Sequence, residues 1–316
     1  MKILANDGVS QTGINALEAA GFTVITTKVA QEQLSNYIND NDISVLLVRS
    51  ATTARKELID SCPSLKIIGR GGVGMDNIDV EYAREKGLHV INTPAASSAS
   101  VAELVFAHLY GGVRFLFDAN RNMPLEGESK FKVLKKSYAS GRELRGKTLG
   151  VIGFGRIGQE VAKIALGCGM KVIYSDSYVE KTTIKLPFYD GQEVSFNLAH
   201  QDKKVVLNEA DFITLHVPAQ KEYVIGKDEI KEMKDGAGLI NAARGGVIDE
   251  LALLDALEAN KLSFAALDVF ENEPTPAIKV LMNGKLSLSP HIGAATKEAQ
   301  DRIGTELADQ IISILK

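Results

Sequence analysis

Cysteine is scarce in this chain: 316 residues contain two, Cys62 and Cys168. Each stands alone, without the spacing of a metal site, so both are expected to be small buried hydrophobes, and no metal centre is expected. Apolar runs of membrane-spanning length are missing as well. The N-terminus, Met1-Lys2-Ile3-Leu4-Ala5-Asn6-Asp7, lacks the apolar core of a secretory signal, which leads to the expectation of a cytoplasmic protein without membrane contacts. Charge of one sign is not in excess either. With 36 Lys and Arg against 40 Asp and Glu, the formal charge is −4, and no electrostatic footprint for nucleic acid is present. Internal repeats and low-complexity stretches are also absent. What is there is 45% hydrophobic residues, 24% charged residues and 28 glycines, the composition of a soluble α/β protein whose length predicts two domains.

The first ninety residues alternate β-rich runs at 2–5, 22–26, 44–48, 65–68 and 88–91 with helical patterns at 15–20, 31–39 and 80–86. Such alternation predicts a parallel sheet with helices on its faces. A mostly apolar helix is expected over 100–118. A second strand series follows at 149–153, 171–175, 212–216, 238–241, 265–269 and 286–289. Ile303, Leu307, Ile311 and Leu315 mark one amphipathic helix over 296–315. Between 185 and 206 the rhythm breaks, and Asp190-Gly191 between β-forming runs predicts a hairpin.

The most informative segment is Leu149-Gly150-Val151-Ile152-Gly153-Phe154-Gly155-Arg156-Ile157-Gly158. Here an apolar strand enters Gly-x-Gly-x-x-Gly, and Asp176 follows a second strand eighteen residues past the last glycine. Gly153 allows the tight turn, Gly155 lets backbone approach a pyrophosphate, and Gly158 lets the new helix pack on the sheet. Backbone amides near Arg156 and Ile157 then face the phosphates at a helix N-terminus. Asp176 is placed to bind ribose hydroxyls and to repel a 2′-phosphate, so NAD is expected over NADP.

Three polar residues fall at or beyond the ends of later strands: Arg244, Glu273 and His291. An arginine fork can hold a carboxylate, and a histidine can shuttle a proton near neutral pH. A glutamate beside that histidine would orient its ring and stabilise its protonated form. By contrast His89, His108, His200 and His216 read as structural histidines.

Taken together, Arg49-Ser50-Ala51-Thr52, Gly69 to Asp79, the glycine triplet, Asn241 to Asp249, Ala266 to Phe270 with Glu273-Pro274, and Pro290-His291-Ile292-Gly293-Ala294 resemble the D-isomer-specific 2-hydroxyacid dehydrogenases. The resemblance covers nearly the whole chain. It implies two doubly wound parallel-sheet domains, a Rossmann NAD-binding domain over 96–290 inserted in a discontinuous flavodoxin-like substrate domain over 1–95 and 291–316. It further implies that His291 is the acid/base, Glu273 its partner and Arg244 the clamp on the substrate carboxylate. Val217, Pro218, Ala242, Ala243, Asp268, Gly293 and Ala294 would line the NAD site, with Asp268 toward the nicotinamide carboxamide. The backbone of Gly71, Gly72 and Val73 would help hold the substrate carboxylate. Arg49, Ser50 and Arg70 would lie toward its far end, as expected for the branch that acts on phosphorylated 2-hydroxy acids.

Lys136, in a basic cluster with Lys130, Lys132 and Lys135, would contact the substrate of a neighbouring subunit in a homodimer built through the NAD-binding domain. The alternative for that cluster is a solvated lysine loop. The segment after Asp176 is longer than the family's, and the role of its hairpin is open. Because the chain stops after its closing helix, feedback through an appended regulatory domain is not expected. Two other functions remain open, a reductase of unphosphorylated 2-keto acids and a dinucleotide-sensing binding protein. A formate-oxidising role fits less well, since that branch has glutamine where Glu273 stands.

Overall fold

Short aliphatic runs form the first sheet in a computed structural model that describes residues 1–316. Its strands are β1 (Lys2–Ala5), β2 (Thr23–Ile25), β3 (Ile43–Val48), β4 (Ile67–Arg70) and β5 (His89–Asn92). Between them lie α1 (Gln11–Ala19), α2 (Leu34–Asp40, after a 3-10 turn at Gln31–Gln33), α3 (Lys56–Ser61) and α4 (Val80–Glu85). The strands pair in parallel in the order β2-β1-β3-β4-β5. With helices on both faces, Ile3, Leu4, Val45, Leu46 and Leu47 are buried on either side, which is why these strands read as unbroken apolar runs.

Helix α5 (Ser98–Val113) carries the chain from the first compact unit, residues 1–100 with 294–316, into the second, residues 101–293. Phe115, at φ 56°, breaks it from α6 (Leu116–Ser137). There follow β6 (Thr148–Ile152), α7 (Arg156–Gly167), β7 (Lys171–Ser175), the hairpin strands β8 (Lys181–Pro187) and β9 (Glu193–Ala199), α8 (Lys203–Glu209) and β10 (Phe212–Leu215). The unit is completed by α9 (Lys227–Glu232), β11 (Ala237–Asn241), α10 (Glu250–Glu258), β12 (Leu262–Leu267), α11 (Ile278–Leu281) and β13 (Leu286–Leu288). Its six-stranded parallel sheet has the order β13-β12-β11-β10-β6-β7. Strand order reverses between β6 and β10, and the carboxyl edge beside such a switch point is where doubly wound sheets bind ligands. The last helix, α12 (Lys297–Leu315), starts on Thr296, whose hydroxyl accepts the Ala299 N–H, and returns to pack on α1, β4 and β5 of the first unit. No single helix is long and apolar enough to cross a membrane.

Several elements differ from the sequence reading. The basic cluster is helical rather than a loop: α6 runs to Ser137 through Pro124, with non-helical backbone at Lys130. Its Leu, Glu and Lys content favours helix, and the lysines that read as a loop by charge are good helix formers. The 100–118 prediction therefore crosses a break. The hairpin begins at Lys181, and the end of the 185–206 segment is already in α8. Helix α3 is not among the predicted helices; its six residues bury only Leu58 and Ile59.

Candidate active site

Six strand ends meet along one edge of the second sheet. The turn after β6 is built by Gly153, at φ 89°, where a Cβ would lie 2.5 Å from the His216 carbonyl oxygen after β10. At Gly158 a Cβ would collide with the Gly153 carbonyl, so helix and strand approach closely only without it. Gly155 has no heavy atom within 4 Å of where its Cβ would sit, leaving the turn open. The first amides of α7, those of Arg156, Ile157 and Gly158, lack intrahelical acceptors and head a positive helix terminus. An open cradle of amides at a helix N-terminus fits a dinucleotide pyrophosphate.

Asp176 stands at the end of β7. Its Oδ2 accepts the Phe154 N–H at 2.6 Å, and its Oδ1 accepts the N–H groups of Tyr178 and Val179 at 2.8 and 2.9 Å. A carboxylate offers about four lone-pair positions, so one on Oδ2 is left for a ribose hydroxyl. The Asp176 N–H donates to His200 Nδ1 at 3.1 Å, which ties the end of the hairpin segment to this strand. Val217 is half-buried and Pro218 exposed after β10. After β11, Asn241 holds the next loop: its side chain accepts the Ala243 N–H and donates to the Arg244 carbonyl. Ala242 and Arg244 are half-buried, and Arg244 Nη1 donates to the Ala243 carbonyl.

His291 follows β13. Its Nδ1 lies 2.8 Å from Glu273 Oε2, while Glu273 Oε1 accepts the Phe270 N–H at 3.0 Å, so the carboxylate is anchored on one side and holds the imidazole on the other. Both side chains are partly open, at 42% and 36% exposure, and Nε2 makes no hydrogen bond within the chain. A ring held at one nitrogen and open at the other suits proton transfer. The backbone of His291 is left-handed at φ 55°, which is costly for a residue with a Cβ. Asp268, 2% exposed, fixes that backbone: its carbonyl accepts the His291 N–H at 2.8 Å, and its carboxylate accepts the Ile292 and Gly293 N–H groups at 2.8 and 2.9 Å. The sequence reading turned Asp268 toward the cofactor; most of its bonding capacity goes to this loop.

In the first unit, Arg49 and Ser50 follow β3, and Arg70 to Val73 follow β4. Asp7 Oδ2 accepts the N–H groups of Arg49 and Thr52 at 2.7 and 3.0 Å, and Asn77 donates to the carbonyls of both. Burial draws the Arg49 guanidinium below its ordinary value, and the negative charge of Asp7 opposes that shift. The expected carboxylate cradle is narrower than three amides. Gly71 N–H donates to the Val48 carbonyl because β4 keeps pairing with β3 past its end, and Gly72 N–H turns back onto the Arg70 carbonyl two residues earlier; of the three, only Val73 N–H has no partner within the chain. Lys136 is exposed in the last turn of α6.

Of the remaining histidines, His216 donates or accepts at Nε2 with Thr214 Oγ1 at 3.0 Å, its Nδ1 is buried without a partner, and burial pushes the ring down to about 3. Cys62 is buried as expected, but Cys168 is only half-buried, 3.1 Å from the Tyr110 hydroxyl. Sequence reasoning missed Asp7, Asn77, Phe154, His108 and Ser289. Asp7 carries a weak signal, a polar residue just past a predicted strand, and Asn77 lies within the Gly69 to Asp79 segment, whereas the role of His108 depends on residues far along the chain.

A parallel sheet with a glycine-rich phosphate turn, a strand-end carboxylate and a His–Glu pair on one edge defines a dinucleotide-binding α/β protein. Residues 106–293 match the NAD binding domain of the D-isomer specific 2-hydroxyacid dehydrogenases, and the chain belongs to that family. NAD is the cofactor of that domain. The chain is 42% identical over 318 residues to the D-3-phosphoglycerate dehydrogenase of Methanocaldococcus jannaschii, a match that takes in 100% of this chain and 58% of that protein. It is 44% identical over 279 residues to the hydroxypyruvate reductase of Thermotoga maritima, across 87% of this chain and 85% of that one. The crystal structure of D-lactate dehydrogenase from Aquifex aeolicus, complexed with NAD and lactic acid, superposes with a TM-score of 0.75 at 30% identity, across 100% of this chain and 95% of that one. This chain thus spans little more than half the length of its phosphoglycerate dehydrogenase relatives.

Proposed function

We propose that the protein is an NAD-dependent D-2-hydroxyacid dehydrogenase that oxidises D-3-phosphoglycerate to 3-phosphohydroxypyruvate, the first step of serine biosynthesis. The observation that carries the reading is the 2.8 Å pair of His291 and Glu273 on the same sheet edge as the Gly153 turn. His291 Nε2 takes the proton of the C2 hydroxyl as the C2 hydride leaves, and Glu273 stabilises the imidazolium that forms. Bound NAD supplies the hydride acceptor. Arg244 grips the substrate carboxylate and C2 oxygen, and the Val73 amide assists. Val217, Pro218, Ala242, Ala243, Gly293 and Ala294 would line the cofactor, and Asp268 would hold its carboxamide side.

Arg49, Ser50 and Arg70 are assigned to the phosphate end. Lys136 is assigned to the same phosphate from a second copy, in a homodimer through the NAD-binding domain. The exposure of Leu116, Met123, Leu125, Phe131 and Val133 along α6 supports such a contact, since apolar residues clustered on one surface element mark interaction sites.

A second reading, reduction of hydroxypyruvate or another unphosphorylated 2-keto acid, is favoured by the match to nearly the whole Thermotoga maritima reductase. NADH oxidation measured with 3-phosphohydroxypyruvate, hydroxypyruvate, glyoxylate and 2-oxoglutarate separates the two. Highest kcat/KM on the phosphorylated acid supports the first reading; a preference for an unphosphorylated acid replaces it with the second. NADH binding with no turnover of any of the four leaves a dinucleotide sensor.

A further inference from the structure

Behind the His291 loop runs a polar chain that starts on α5, buried at His108, Ser287 and Asp268 and half-buried at Ser289. His108 is 7% exposed, and each ring nitrogen meets a serine at the end of β13: Nδ1 lies 2.8 Å from Ser287 Oγ and Nε2 lies 2.9 Å from Ser289 Oγ. The Ser289 hydroxyl donates to Asp268 Oδ1 at 2.6 Å. A hydroxyl has one hydrogen, so Ser289 accepts from His108 Nε2–H, and on a neutral ring Nδ1 then accepts from the Ser287 hydroxyl. The directions of the three bonds and the tautomer of the ring are thereby fixed. Burial keeps His108 below the ordinary histidine range, against the opposing pull of Asp268, so the neutral ring this pattern requires is the favoured one.

The chain ends on the residue that holds the catalytic loop. Asp268 accepts the Ile292 and Gly293 amides on its carboxylate and the His291 amide on its carbonyl. These bonds hold His291 at φ 55°, the conformation from which its ring reaches Glu273. Without the Ser289 hydroxyl, Oδ1 keeps one donor in place of two. Without His108, that hydroxyl loses the partner that aims it.

We propose that His108 is a positioning residue for His291, acting through Ser289 and the carboxylate of Asp268. The proposal rests on the reading of His291 as the acid/base. Leucine at 108 fills the space and supplies neither donor nor acceptor. Glutamine offers a donor nitrogen and an acceptor oxygen, as a neutral imidazole offers one nitrogen of each kind.

The test compares wild type, His108→Leu, His108→Gln, Ser289→Ala and the double variant His108→Leu/Ser289→Ala. Kinetics use whichever 2-keto acid the wild type reduces, and hydrogen exchange is followed in the peptide that contains residues 291–294. His108→Leu is expected to lower kcat about tenfold with the keto-acid KM changed less than about twofold, and His108→Gln to recover most of the loss. The double variant is expected to match Ser289→Ala within about twofold, because residues in one chain of bonds are not additive. Exchange at Ile292 and Gly293 is expected to quicken about tenfold in His108→Leu while β11 and β12 amides stay as in wild type.

Unchanged local exchange in His108→Leu, multiplying effects in the double variant, or a Gln variant as impaired as Leu would each overturn the proposal. Exchange is read without substrate. A wild type that reduces no keto acid therefore sinks the proposed function, while the exchange result still decides whether His108 holds the loop.

Discussion

Phe154 donates its backbone N–H to Oδ2 of Asp176 at 2.6 Å, and its ring stacks on Tyr174, with centroids 3.9 Å apart. The phosphate turn after β6 and the carboxylate after β7 are therefore bound to each other through both backbone and side chain. A movement of one is felt by the other.

Replacement of Asp176 by alanine removes the acceptor of three backbone amides along with the group assigned to the ribose. NADH affinity is expected to fall about tenfold or more, and the kcat/KM ratio of NADH to NADPH to shrink, because the charge that repels a 2′-phosphate is gone. Kinetics with both cofactors check this. An unchanged ratio would move the ribose contact elsewhere.

Legibility followed sequence distance. The glycine triplet, its helix and Asp176 lie within one βαβ unit, and each glycine has a local reason to be there, so that half of the site could be read directly. Arg244, Glu273 and His291 were legible as polar residues at consecutive strand ends. The supports were not: Asp7 meets Thr52 at 45 positions' separation, and His108 meets Ser289 at 181, distances across which no local periodicity carries information. Gly71 misled for a subtler reason. A strand end and a loop look alike in sequence, and only pairing with Val48 shows that its amide is engaged.

The phosphate assignment separates substrates. Arg49→Ala and Lys136→Ala are each expected to raise KM for 3-phosphohydroxypyruvate about tenfold and to change that for hydroxypyruvate less than about threefold, since one charge-assisted contact is lost only where a phosphate was held. Equal effects on both substrates would remove these residues from the phosphate site.

The two thiols should differ in reactivity. Burial pushes the Cys62 thiol up to about 11, whereas Cys168 is half-buried beside Tyr110. Titration with an aromatic disulfide at pH 8 is expected to modify Cys168 alone in the native protein, with Cys62 reacting only after denaturation. Rapid labelling of both in native protein contradicts this.

Acid should destabilise the fold through His216. Its folded value of about 3 lies far below the ordinary 6.5, so between these the unfolded chain binds the proton that the folded chain refuses. Stability is therefore full above about pH 6.5 and is lost as pH falls toward 3, by about 1–3 kcal/mol at pH 4.5. His108, also lowered by burial, acts in the same direction. In His216→Gln the drop in Tm between pH 7 and 4.5 is expected to be smaller than in wild type. An equal drop would assign the acid limb to other groups.

The central claim, that His291 moves the proton while the rest of the sheet edge holds NAD, is tested most directly by His291→Asn. In one preparation, kcat for NADH-dependent reduction of 3-phosphohydroxypyruvate and the Kd of NADH by fluorescence are measured against wild type. The account predicts a kcat lower by about a thousandfold with Kd within about twofold, the separation expected when a general acid is removed from an intact cofactor site. A variant that turns over at near the wild-type rate would contradict it.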